Sequence, residues 1–174
     1  GDVYKRQIKD LAPIYFVTGN HELTSLAATQ YQELLALFQK YGVTDLDNDS
    51  VKLKKGGQSI TLYGRQYFSQ YLTDSLPIAS DKDFDILLYH GSDNFKEIAP
   101  YHYDLILSGH AHGGIVRLPI WGGIFGNDGT FFPEYAGGEY TIGDATLISS
   151  RGLGDASIPR FNNPPELVVI KLNP

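Results

Sequence analysis

At 174 residues, with 42% hydrophobic and 20% charged side chains, the chain has the composition of one globular domain with a real core. The formal net charge of −6 argues against a nucleic-acid partner, which wants a basic face, and no unbroken apolar run is long enough to span a bilayer. With no cysteine there is neither a disulfide framework nor a thiolate, so any metal would be held by oxygen and imidazole.

The chain opens "GDVYKRQIKD" without a methionine and without a signal-peptide pattern. The run Asp2–Gln7 resembles the translated remnant of a sequencing adapter. Residues 1–7 are therefore expected to be non-native, with 8–174 the C-terminal portion of a single domain, and localisation stays open. "IYFV" (14–17) reads as a short buried strand ending in Thr-Gly. The next stretch, to Gly42, reads as a helix capped by Thr24 or Ser25, with Leu26, Tyr31, Leu34, Leu35, Phe38 and Tyr41 at helical spacing. "VKLKKGGQSITLYG" is a hairpin about Gly56-Gly57. The segment from Arg65 to Ser80 predicts loop with some helix. "FDILLYH" and "YDLILSGH" are near-continuous apolar runs, as in central strands covered on both faces. "GEYTIGDATLIS" is a second hairpin, turning at Gly143-Asp144, and "ELVVIKL" predicts a last strand. The class is mixed α/β.

The histidines carry the chemistry. Four of five follow a predicted strand: His21 in "GNHE", His90 closing "FDILLYH", His110 and His112 in "GHAH". Active-site residues in α/β sheets gather at the carboxyl ends of strands, so three strands are expected to deliver imidazoles and Asn20 to one rim. Imidazole and amide oxygen suit Zn, Fe or Mn. If GHAH stayed extended, both rings would point to the same side. Gly19, Gly109 and Gly113-Gly114 would let backbone approach a crowded centre. His102 has no such context and reads as an ordinary polar residue.

Together, "GNHE", "HGSD" and "GHAHGG" resemble the calcineurin-like metallophosphoesterases. "SGHAHGGIVRLPIWGG", "FFPEYAGGEY", "SSRGLG" and "PRFNNPPELVVIKL" resemble the bacterial membrane-associated or exported branch of that family. The resemblance implies a four-layer α/β/β/α sandwich with mixed sheets, here partial, its first strands missing. It implies a centre of two divalent ions (Mn, Fe, Zn or similar) that activates hydroxide to hydrolyse phosphodiesters or phosphomonoesters. Carried over by position, Asn20, His90 and His110 hold one metal and His112 the other. His21 stands beside the scissile phosphate as acid or transition-state stabiliser, and Glu22 supports the turn. The family's Asp-x-His and Gly-Asp-x-x-Asp blocks are missing. Gly1-Asp2 is only superficially similar to the second, and Asp2 is left unassigned as a ligand. His112 is then the sole ligand of its ion, so this chain is expected to bind one metal and to be inactive or nearly so.

Phosphoester hydrolysis needs charge neutralisation on phosphoryl oxygens, an activated water and a proton for the leaving oxygen. His21 is the candidate to give that proton, imidazole being the usual general acid of such chemistry near neutral pH. Arg117 and Arg151 are candidate phosphate or head-group contacts, against the competing role of structural ion pairs. Trp121, Phe125, Phe131 and Phe132 either meet a lipid-like or nucleobase portion of a phosphorylated substrate or form a satellite core. The alternative to an enzyme is a non-catalytic metal-binding remnant, or an interaction module of the same fold.

Overall fold

The computed structural model describes residues 11–67, 72, 76–80, 83–126, 129–154 and 159–173. The expectations for residues 1–7, for Asp2 and for much of the 65–80 stretch lie outside them.

Strand β1 (Ile14–Phe16) pairs in parallel with β2 (Val43–Asp45) in a two-stranded sheet. Between them run a short helix α1 (Asn20–Thr24) and the longer α2 (Ala28–Lys40). Alternation along β1 sends Phe16 one way and its neighbours the other. Phe16 meets Phe38 of α2 edge-on at 4.5 Å, while Tyr15 and Val17 pack against the larger sheet. α2 stops where Gly42 takes φ +67, as its sequence predicts. Its start differs from the expectation. Ala27 is the N-cap and its N–H donates to Gln30 Oε1 at 3.0 Å. Thr24 and Ser25 are spent within and just after α1, on Asn20 O and His21 Nδ1.

The larger sheet has six strands in the order β3-β4-β5-β6-β10-β9. They are β3 (Ser50–Lys55), β4 (Gln58–Arg65), β5 (Phe84–Gly91), β6 (Leu105–Gly109), β9 (Gly138–Ile142) and β10 (Ala145–Ser149). The four inner strands run parallel, and each edge is an antiparallel hairpin partner, as the two glycine turns require. Gly56 and Gly57 turn the first hairpin at φ +60 and +82, conformations that cost other residues a Cβ clash. Leu87, Ile106 and Leu147 lie on one face, fully buried against Phe95 and Ile98 of the short helix α3 (Phe95–Ile98) and its 3₁₀ continuation Ala99–Tyr101. Ile86, Leu88, Leu105, Leu107 and Ile148 face β1 on the other side. Helix, small sheet, large sheet and helix stack in that order, a partial version of the expected layers. A separate ribbon, β7 (Val116–Leu118) with β8 (Gly122–Phe125), follows the second histidine pair.

One expected strand is not there. Residues 164–173, including "ELVVIKL", carry no regular secondary structure. A strand needs a partner ladder, and among the described residues this segment pairs with no strand. Leu167, Val168 and Ile170 instead line an open groove with Tyr15, Val17, Leu88, Leu107 and Ile148. Leu167, Val168 and Ile170 keep 37% or more of their surface exposed, so the segment lies along the groove without being buried in it. Among the described residues no helix is long and apolar enough to cross a membrane.

Candidate active site

Three strand ends build the site. β1 exits through Thr18, which is fully buried, with its N–H on Asp47 Oδ1 at 2.9 Å and its hydroxyl on Asp47 Oδ2 at 2.6 Å. Burial raises the Asp47 carboxyl above its ordinary value even though both Thr18 bonds favour the ionised form. Gly19 then closes onto Glu22, its N–H donating to Oε2 at 2.9 Å. A Cβ on Gly19 would stand 2.9 Å from His90 Nε2, so only glycine lets β5 bring His90 this close.

His90 is the centre of the cluster. Its Nε2 lies 3.2 Å from Asn20 Oδ1, and its ring stands 5.1 Å from that of His110, centroid to centroid. Burial, with the nearby His110, His112 and His21, lowers its pKa to about 4. At neutral pH this imidazole is uncharged and keeps a lone pair, the form that ligates a metal. Tyr67 closes one side: its ring packs 5.5 Å from His90 and 5.2 Å from His110, and its hydroxyl lies 3.4 Å from His110 Nε2. No sequence signal marked Tyr67. It sits two residues past β4, in a stretch without periodicity. His21, on α1, is exposed and close enough to His90 and His112 to disfavour their charging. His102 lies apart in a left-handed turn at φ +63.

The GHAHGG loop is not extended. His110 and His112 take φ +65 and +51, and Gly113 and Gly114 follow at +78 and +69. Histidine tolerates the left-handed region better than most residues, but each instance still costs on the order of 1 kcal/mol. The tight turn is closed by Ala111 N–H to Gly109 O at 2.7 Å and Gly114 N–H to Ala111 O at 2.8 Å. The expected same-side pair therefore gives way to two rings in different settings. His110 faces Tyr67 and His90, and His112 meets Arg160.

A belt from Arg160 to Glu166 holds this loop from outside. Asn163 Nδ2 donates to the carbonyls of His112 (2.7 Å) and Gly114 (2.9 Å). Phe161 exchanges backbone bonds with Ile115 and Arg117. Glu166 binds Arg151 through its N–H at 2.8 Å and Nε at 2.7 Å, and the Arg151 stem lies where a Gly113 side chain would be. Arg117 Nη1 donates to Gly113 O at 2.6 Å. Both candidate arginines thus have partners inside the fold, in line with the structural role weighed for them. Arg160 and Asn163 went unmarked in sequence because they act across 48 and 51 residues. Of the candidate substrate aromatics, Phe125 packs on Phe131 at 5.3 Å, while Trp121, Phe131 and Phe132 remain exposed, so they form no buried satellite core.

A sequence model of the calcineurin-like phosphoesterases matches residues 2–114, which include Asn20, His90, His110 and His112. The chain belongs to the calcineurin-like phosphoesterase family. It is 28% identical over 174 residues to the uncharacterized protein YpbG of Bacillus subtilis, covering 97% of this chain and 61% of YpbG. It is 24% identical over 166 residues to the phosphodiesterase YaeI of Escherichia coli, covering 95% of this chain and 60% of YaeI. Over 94 residues it is 33% identical to the UDP-2,3-diacylglucosamine pyrophosphatase LpxG of Chlamydia trachomatis, covering 49% of this chain and 28% of LpxG. The chain thus spans about three fifths of the length of the first two relatives.

Calcineurin-like phosphoesterases use divalent metals, and the donors present here suit one such ion. Asn20 Oδ1 and His90 Nε2 already approach to 3.2 Å, with the His110 ring beside them. Among the described residues no group of three or more His, Cys, Asp or Glu side chains converges, so His112 does not join His90 and His110 in one ligand set. The donors that meet here are two imidazole nitrogens and an amide oxygen.

Proposed function

We propose that this chain carries part of the catalytic centre of a divalent-metal-dependent phosphoesterase. In this reading Asn20, His90 and His110 hold one ion, and His112 belongs to the side of the site where a second would sit. The observation that carries it is the meeting of β1, β5 and β6 at one rim, with Asn20 and His90 3.2 Å apart and His110 beside them. When bound, the metal supplies Lewis-acid charge for the phosphoryl oxygens and acidifies a water. Neutral imidazoles and an amide leave the ion's charge undiminished, which suits an anionic substrate. His21, exposed on α1, donates the proton that the leaving oxygen needs. Gly19 and Asp47 fix where Asn20 stands, and Asn163, Arg117 and Arg151 fix the second histidine pair. A phosphodiester with an apolar portion is the substrate class supported best. YaeI is named a phosphodiesterase and LpxG acts on a lipid-bearing nucleotide, and Trp121, Phe131 and Phe132 are exposed in and after the ribbon that follows the histidine loop.

The test is hydrolysis of bis-p-nitrophenyl phosphate with Mn²⁺ or Zn²⁺. Metal-dependent turnover that His21→Ala lowers by at least 10²-fold supports the reading. One observation favours a second reading, a metal-binding remnant without catalysis: among the described residues no group of three or more His, Cys, Asp or Glu side chains comes together to hold an ion. Stoichiometric binding of one ion with no turnover would select that reading.

A further inference from the structure

Arg160 touches the site directly, although no motif pointed to it. Its Nη2 lies 3.1 Å from His112 Nδ1 and also donates to Gly154 O, while Nη1 reaches Gly152 O at 3.5 Å. A guanidinium has no acceptor, so Nδ1 of His112 must receive the bond. Three of five N–H groups are engaged by these contacts. Nε is buried without a partner, and Nη1 keeps one further N–H. The other two cations of this region are spent, Arg151 on Glu166 and Arg117 on Gly113 O. Two backbone carbonyls pin the Arg160 head, so little side-chain entropy is lost when it takes up an anion. The chain as a whole carries −6, so attraction of a phosphate to this rim needs a local fixed cation.

We infer that Arg160 receives the substrate's phosphoryl oxygens on the His112 side of the site, through the Nη1 N–H that its contacts within the chain leave over. The inference rests on the phosphoesterase reading above.

The test measures inorganic phosphate binding to the Zn²⁺-loaded chain by calorimetry, alongside Zn²⁺ affinity. Arg160→Ala is expected to weaken phosphate at least tenfold and to leave Zn²⁺ affinity unchanged. Arg160→Lys, which restores the charge without the planar fork, should fall between. Equal phosphate affinity in Arg160→Ala and wild type overturns the inference, as does an equal loss of phosphate and Zn²⁺ affinity, which marks Arg160 as a mere prop of the loop. Should Arg160→Ala fail to fold, the guanidinium ¹⁵N resonances of Arg160 in the wild-type protein decide. A stoichiometric shift with phosphate supports the inference and unmoved resonances refute it. A wild-type chain that binds neither Zn²⁺ nor phosphate refutes the phosphoesterase reading itself, a result distinct from a silent Arg160.

Discussion

His90 shows what burial does to a single imidazole. Its pKa is lowered from 6.5 to about 4, so between those values the unfolded chain binds a proton that the folded chain refuses. Metal-free protein is therefore expected to lose stability as pH falls through that window, by about 3 kcal/mol in full. Urea titrations at pH 7 and pH 4.5 check this, and His90→Asn should flatten the decline. Gly113 makes a second prediction at this scale. At φ +78, with a built Cβ 2.5 Å from Arg151 Cγ, Gly113→Ala should cost about 2 kcal/mol. Gly109→Ala, whose Cβ would meet nothing nearer than Ser150 O at 3.9 Å, should change stability by about 0.5 kcal/mol or less. Equal losses at the two glycines would mean that the positive-φ turn is not what the loop depends on.

At the scale of elements, the belt and the C-terminal segment behave differently from ordinary loop and strand. Asn163 is 3% exposed and ties two carbonyls of the histidine loop, so Asn163→Ala should destabilise by about 1–3 kcal/mol and weaken metal binding with it. The segment after Glu166 meets the groove through its side chains. Ile170 lines the groove at 37% exposure, while Val169 is 86% exposed. Ile170→Ser is expected to cost about 1 kcal/mol and Val169→Ser almost nothing, by thermal or denaturant unfolding. Identical effects would show that the segment does not pack on the sheet. The hairpins were legible from alternation and their turn glycines, Gly56-Gly57 and Gly143, because those signals are local. "ELVVIKL" has the same local signal but, among the described residues, pairs with no strand, and partner availability is not written in the segment.

At the scale of the molecule, the parallel strands that end in His90 and His110 could be read as apolar runs closed by polar residues, and the sheet brings their ends together as that pattern implies. What escaped the sequence is what depends on distant contacts: Tyr67 over the histidine rings and Arg160 on His112. The left-handed turn at GHAH escaped for a different reason. Histidine does not announce φ > 0 as glycine does, and only the surrounding bonds impose it. The account as a whole depends on Asn20, His90 and His110 acting as one ligand set. Calorimetric titration of Mn²⁺ into the wild-type chain and into His110→Ala tests this most directly. The account predicts one ion per wild-type chain and an affinity about 100-fold weaker, or worse, in the variant. Undiminished Mn²⁺ binding by His110→Ala would contradict it.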